Sequence, residues 1–283
     1  MNNGPQRNLM TLIASSFLAG MLVGAASAHS PRETAKVTKA TLEAKTSKAV
    51  SEVTDSDVPA SDDRNAFRQD HPSYLAYYAY SEVPPDKKPA DIVLTSLKDI
   101  PVGTPIEEIK RASDAFGLNF DFMKAVARIE SGFDPKQRTG SYVGLFQLSK
   151  DEFAKYGSGD ILDARDNAVA AAYKFATAAI LFELNTHKKA TYSDLYLIHQ
   201  QGAQGAEEHV NHPDRIAWKS MCATDEGKAK GEKWCKRAIW ENTLPGVKRV
   251  WKSVENLTSG VFLNMWQNQV NHFYAHYSGT TMK

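Results

Sequence analysis

The chain has 283 residues, 42% of them hydrophobic, and a formal net charge of +1. That length suits one large domain or a domain with extensions. Basic and acidic residues are interleaved with no basic stripe, which argues against nucleic acid as a partner.

The N-terminus carries an export pattern. Arg7 precedes a mainly apolar run from Leu9 to Ala25, and Ala26-Ser27-Ala28 forms a small-residue cleavage site. Together they predict a signal peptide over 1–28, cleaved after Ala28, and a mature chain that starts at His29 and keeps no stable membrane span. Residues 29–66 are dominated by Ala, Thr, Ser, Lys, Glu and Asp and have almost no large apolar side chains. Such a segment cannot bury enough surface to offset its ordering entropy, and is expected to be a disordered linker. Residues 67–104 form a lead-in. Tyr74, Tyr77, Tyr78 and Tyr80 cluster there before Pro84-Pro85, and Asp91 to Leu97 reads as a short strand or helix.

A folded core is expected from residue 105 to 212. Thr104-Pro105-Ile106-Glu107 is a capping box with Pro at the first helical position. Ile106, Ile109, Ala112 and Phe116 then recur at helical spacing, and Gly117 ends the helix. Asp121 is expected to open the next helix, which Glu130 closes. Asp134-Pro135 and Gly140 punctuate the loop that follows. Ser149 with Glu152 makes a second capping box, for a short helix to Tyr156 that Gly157 and Gly159 break. Asp166 is expected to open a long run, Asn167 to Leu184, that is apolar on nearly every face and reads as a central buried helix with Lys174 inside it. Thr191 with Asp194 caps a further helix through Leu195, Tyr196 and Ile198 to Gly202. No strand-rich region or internal repeat stands out. The predicted class is all-α, with at most a minor hairpin.

The segment from 213 to 283 reads as a helical C-terminal extension. Cys222 and Cys235 lie in a charged stretch flanked by Trp218, Trp234 and Trp240. An exported protein meets an oxidising compartment, where such a pair closes into a disulfide. A metal set combining both cysteines with His209 and His212 is the alternative, but H-x2-H followed by Cys-x12-Cys fits no ordinary zinc spacing. Phe262, Trp266, Val270 (or Gln269), Phe273 and Tyr277 make an aromatic stripe, expected to dock a last helix onto the core.

The chemistry concentrates between Phe122 and Gln147. Residues three and four apart share a helix face, so Glu130 stands over Val126 and Ala127, with Phe133 and Phe146 expected nearby. Desolvation of a carboxyl raises its pKa, and an acid kept protonated near neutral pH is what a general acid requires. Glu130-Ser131, followed about fourteen residues on by Gly144-Leu145-Phe146-Gln147, resembles the soluble lytic transglycosylase family of goose-type lysozyme-like fold. The family's third segment, an Ala-Tyr-Asn-Ala-Gly-like helix end, falls at Leu197-Ile198-His199-Gln200-Gln201-Gly202. There His199 stands in place of Tyr and Gln200 in place of Asn. The resemblance spans roughly residues 105 to 210.

The resemblance implies a lysozyme-like helical domain in the periplasm that acts on peptidoglycan glycan strands without cofactor or metal. Glu130 would be the single general acid and base. Ser131, Gly144, Phe146, Gln147, His199 and Gln200 would orient the acid and bind the glycan, and Gly144 would let the backbone approach it closely. Cleavage of the bond between N-acetylmuramic acid and N-acetylglucosamine would leave a 1,6-anhydromuramyl end. Two other readings remain at the level of sequence. One is a hydrolase of the same bond, for which Asp134 and Asp166 are candidate water-activating groups. The other is an inactive peptidoglycan-binding scaffold of an envelope-spanning secretion apparatus.

Overall fold

The structure is a computed structural model, and it describes residues 87–279. The signal peptide, the cleavage point before His29, the linker over 29–66 and the cluster Tyr74, Tyr77, Tyr78 and Tyr80 lie outside the described residues. Those described are mostly helical, as the sequence predicts. In chain order they form α1 (Pro89–Ser96), α2 (Pro105–Phe116), α3 (Phe120–Glu130), a hairpin of β1 (Arg138–Thr139) and β2 (Tyr142–Val143), α4 (Lys150–Tyr156), α5 (Ala164–Thr186), α6 (Tyr192–Asn211), α7 (Ala217–Ala223), α8 (Asp225–Lys230), α9 (Glu232–Glu241), α10 (Pro245–Trp251) and α11 (Ser259–Ser278).

Helix starts follow local hydrogen bonding. Thr104, Ser149 and Thr191 each accept a bond from the backbone three residues on, and Glu107, Glu152 and Asp194 reach back to complete capping boxes. Two starts differ from the sequence expectation. Asn119, not Asp121, caps α3 and accepts from Phe122 N, leaving Asp121 in the first turn. Asp163, not Asp166, caps α5 through Arg165 N and Asp166 N, and Asp166 instead accepts from Asp160 N at 2.8 Å. The lead-in at Asp91 to Leu97 belongs to helix α1.

Helix α5 is the central element. Ala168, Val169, Ala170, Ala171, Ala172, Phe175 and Ala176 are all buried, on several faces at once, because α1, α2, α4 and α6 pack around it. Small residues let those neighbours approach closely. Toward its end Leu181 and Leu184 emerge into solvent. On α2, Ile109, Ala112 and Phe116 face the core as their spacing predicts, while Ile106 remains exposed.

Helix α6 does not stop at Gly202. Gly202 takes φ 71° and ψ 167°, which breaks the helical path, and a second helical stretch continues to Asn211. That backbone lies in the glycine-favoured region. The kink carries the chain to His209, whose Nδ1 meets Ser259 Oγ at 2.9 Å, and Ser259 Oγ in turn bonds Ser220 Oγ at 2.9 Å. This buried polar chain joins α6, α7 and α11.

Cys222 and Cys235 form a disulfide between α7 and α9. Both sulfurs are therefore spent, and neither can join His209 and His212 around a metal. Helix α11 docks on α3 and α6, with Phe262, Trp266 and Val270 buried and Phe273 packed against the same core. One hydrophobic cluster runs from Ala90 on α1 to Val270 on α11. Each large side chain buried in it is worth about 1.5–3 kcal/mol.

Candidate active site

Glu130 is the last residue of α3, and its carboxyl points inward, 1% exposed at the side chain. Val126 and Ala127, one turn back on the same face, are fully buried, as is Phe146. Burial pushes the Glu130 pKa up to about 8, against smaller opposite effects from the Tyr196 hydroxyl and from Lys174. The Tyr196 hydroxyl faces the carboxyl but falls short of hydrogen-bond geometry, so Glu130 Oε1 and Tyr196 OH both lack a partner. An acid in this state holds its proton at neutral pH and has an oxygen free to present it.

Ser131 fastens the end of α3 to the return segment. Its hydroxyl is in hydrogen-bond contact with Leu145 O at 2.8 Å and with Ala127 O at 3.1 Å. The return is fixed again by Asn167 of α5. Asn167 Oδ1 accepts from Phe146 N at 2.9 Å, and its amide donates to Ile161 O and Val143 O. Gly144, at φ 86°, leaves room for that amide: a Cβ there would lie 2.2 Å from Asn167 Nδ2. The protein's own packing thus requires the glycine, a different cause from the close glycan approach that the sequence suggested.

Gln147 is buried at φ 45°, and Phe133 takes φ 71°. A bulky residue in the left-handed region is rare and carries strain, which collects at functional loops. Gln147 is held there by its amide, which donates to Gly144 O at 2.8 Å and Gln137 O at 3.0 Å; its Oε1 has no partner. Gln200, also buried, has an unpartnered Nε2, while its Oε1 accepts from Gln201 Nε2. Orphaned buried polar atoms are few in folded proteins. Among the described residues Glu130, Tyr196, Gln147 and Gln200 supply four of eight, all on the three segments of the resemblance or one helical turn from them; the others are at His209, Glu226, Asn242 and Trp266.

His199 closes the far side. Its Nε2 lies 3.7 Å from Glu130 Oε1, its ring packs on Phe175, and the Phe146 carbonyl faces it. Its Nδ1 is 2.9 Å from Lys174 Nζ. Burial, followed by the Lys174 charge, holds its pKa well below the usual range, so the ring is neutral. Lys174 Nζ also reaches Glu152 Oε1 at 2.5 Å, which makes a buried line Glu152–Lys174–His199–Glu130.

The structure thus brings Glu130, Ser131, Phe146 and His199 together, with Gln147 and Gln200 beside them in the chain. The two carboxylates considered as water-activating groups, Asp134 and Asp166, both accept bonds from backbone amides. Asp134 Oδ1 accepts from Lys136 N in its own turn, and Asp166 is engaged at Asp160. Three residues that sequence reasoning did not assign to the site belong here. Lys174 is the lone charge between Asn167 and Phe182 in the apolar middle of α5, and such a charge is costly to bury without partners. Tyr196 precedes His199 by one helical turn and shares its face. Glu152 did double duty, as capping-box acid and as partner of Lys174, and only the first was legible. The chain matches no protein-family profile, and no curated protein matches it.

Proposed function

We propose that the protein is a peptidoglycan lytic transglycosylase with a lysozyme-like catalytic domain and Glu130 as its single acid and base. The observation that carries this reading is the Glu130 carboxyl, buried without a hydrogen-bond partner at Oε1 and pushed up to about 8. It stands at the Glu-Ser helix end, with the Gly-Leu-Phe-Gln return fastened beside it by Ser131. Glu130 donates its proton to the glycosidic oxygen as the bond to the muramyl C1 breaks. The muramyl N-acetyl group steadies the cationic centre. Glu130, now a carboxylate, takes the proton of the sugar's 6-hydroxyl as that oxygen bonds to C1. No water is consumed, and an internal hydroxyl has the high effective concentration such a step needs.

Among the described residues, the two carboxylates considered for activating water, Asp134 and Asp166, are engaged by backbone amides, which favours this route over two-carboxylate hydrolysis. Glu152, the acidic neighbour that acts on Glu130, is tied to Lys174 and separated from it by His199. The unpartnered amide groups of Gln147 and Gln200 suit the N-acetyl and hydroxyl groups of the sugars. Because the carboxyl is covered, substrate reaches it by displacing side chains around it. The disulfide suits an oxidising compartment, and with the export pattern it supports a periplasmic location.

Mass spectrometry of fragments released from purified sacculi tests the proposal. Anhydromuramyl ends are expected. Reducing ends would replace the transglycosylase reading with a hydrolase. No release by folded protein would leave a peptidoglycan-binding scaffold.

A further inference from the structure

We propose that Lys174 is a positioning residue that fixes His199 as a neutral imidazole protonated at Nε2, giving Glu130 a hydrogen-bond donor of set direction. The inference rests on Glu130 being the reacting acid. An ammonium has donors only, so the His199 Nδ1 that faces Lys174 Nζ at 2.9 Å must supply a lone pair. A neutral imidazole then carries its one hydrogen on Nε2. That nitrogen is the one 3.7 Å from Glu130 Oε1, an atom with no other partner; its N–H also faces the Phe146 carbonyl, a neutral acceptor that the charged carboxylate outcompetes once it forms. As Glu130 gives up its proton, the new carboxylate attracts this N–H, and a shift of under about 1 Å completes the bond.

Two further contacts hold the lysine. Its Nζ donates to Glu152 Oε1 at 2.5 Å and lies 3.3 Å from the His199 carbonyl oxygen. The Lys174 side chain is 11% exposed and that of Glu152 9%, so the ammonium is balanced where it stands. The charged and titratable groups around His199 are then Glu130 on α3, Glu152 on α4, Lys174 on α5 and Tyr196 on its own helix. In the family that the sequence resembles, a Tyr stands at the position of His199. A phenol can donate without help, whereas an imidazole donates from Nε2 only in the right tautomer. Lys174 supplies that selection, which explains how this chain tolerates histidine there.

The test uses variants that leave no buried charge unpaired. Lys174→Met is made together with Glu152→Gln, the same pair is made again with His199→Tyr, and Lys174→Arg is made alone. Long-range nitrogen–proton NMR correlations of the imidazole report the tautomer, and release of fragments from sacculi reports the rate against pH. In the wild type His199 is expected bare at Nδ1 and protonated at Nε2 from about pH 5 to 8. In the Met/Gln variant the tautomers mix, His199 gains a titration in that range, and kcat falls roughly tenfold with KM unchanged. Lys174→Arg restores the tautomer, and His199→Tyr restores the rate in the Met/Gln background.

A wild-type His199 protonated at Nδ1, or cationic at neutral pH, would overturn the inference. So would a Met/Gln variant with the wild-type tautomer and pH profile, or a triple variant no better than the double. If the Met/Gln variant does not fold, the wild-type spectrum and Lys174→Arg decide. Failure of the enzymatic reading is separate: the wild type would then release nothing, while the spectra still answer for the tautomer.

Discussion

Glu108 and Glu130 are buried glutamates on adjacent helices, and they stand in opposite electrostatic states. Burial alone would raise both. At Glu108 the charges around it win: Arg165 binds both carboxylate oxygens, at 2.8 and 3.1 Å, Arg111 binds from the same helix, and Gly103 N donates at 2.6 Å. Its pKa is lowered despite the burial. Arg165 also donates to Leu97 O, Ile100 O and Pro101 O, so this acid holds the α1–α2 connection onto α5. At Glu130 no arginine reaches the carboxyl, and the nearest cation, Lys174, is already committed to Glu152 and His199. The difference shows that burial sets no protonation state by itself. The partners decide, so a fold can place a structural anion and a candidate proton donor on two neighbouring helices.

The largest effect expected from breaking this comparison is on activity. Glu130→Gln keeps the shape but cannot donate and recover a proton, so release from sacculi should fall by at least about 10²–10⁴-fold. Equal release by wild type and variant would remove Glu130 from the mechanism. Wild-type rate should also decline as pH rises through about 8, where the acid is lost.

Stability should respond with opposite signs at the two sites. Glu108 has a depressed pKa, so its contribution is present above the unfolded value near 4.5 and is lost as pH falls through the folded one. Glu108→Gln should cost about 3 kcal/mol at neutral pH, because it leaves Arg165 buried without its counter-ion, and less in acid. Glu130 has a raised pKa. Below about 4.5 it is protonated folded or unfolded, and between there and about 8 the unfolded chain ionises first, so the native state loses stability as pH rises. Glu130→Gln should match the wild type in acid and exceed it by on the order of a few kcal/mol near pH 8. Denaturant unfolding of both variants across pH checks the two slopes. Slopes of the same sign would dissolve the contrast.

The two sites were unequally legible in the sequence, for a physical reason. Capping boxes rest on bonds three residues apart, and Thr104, Ser149 and Thr191 were readable from sequence alone. Where two polar residues compete for a cap, sequence spacing does not decide. Asn119 prevailed over Asp121, and Asp163 over Asp166, because the cap is the residue that leaves helical backbone angles. Glu130 was readable from the Glu-Ser and Gly-Leu-Phe-Gln segments. Its environment was not, since Lys174 and Tyr196 reach it only when α5 and α6 pack together. Arg165 was hidden in the same way, its partner Glu108 lying far back in the chain.

A distant perturbation sharpens the claim that the Glu130 shift is local. The disulfide joins α7 and α9, neither of which supplies a residue to the site. Replacing Cys222 and Cys235 by Ala should cost about 3 kcal/mol, the value for a loop of roughly 15 residues. The alkaline limb of the rate profile should stay where it is. A limb displaced toward acid would mean that the C-terminal helices help keep water from Glu130. In the wild type, thiol titration after denaturation without reductant should find no free sulfhydryl.

The smallest expected effect concerns the hydroxyl that faces Glu130. Tyr196 is fully buried, and its hydroxyl lowers the Glu130 pKa against the larger effect of burial. Tyr196→Phe removes one oxygen and leaves the ring packing on Trp266 and beside His199. A buried hydroxyl without a hydrogen-bond partner is a cost that the variant relieves, so stability should hold or rise slightly, by about 1 kcal/mol at most. The carboxylate form of Glu130 loses a favourable dipole, so the alkaline limb should move upward in pH, by well under one unit. The second half of the reaction should slow by a few-fold, since that half needs the carboxylate. A downward move of the limb would show that the hydroxyl stabilises the protonated acid instead. No move at all would leave His199 Nε2 as the group that meets the carboxylate, and would place the whole contrast with Glu108 on burial and that single imidazole.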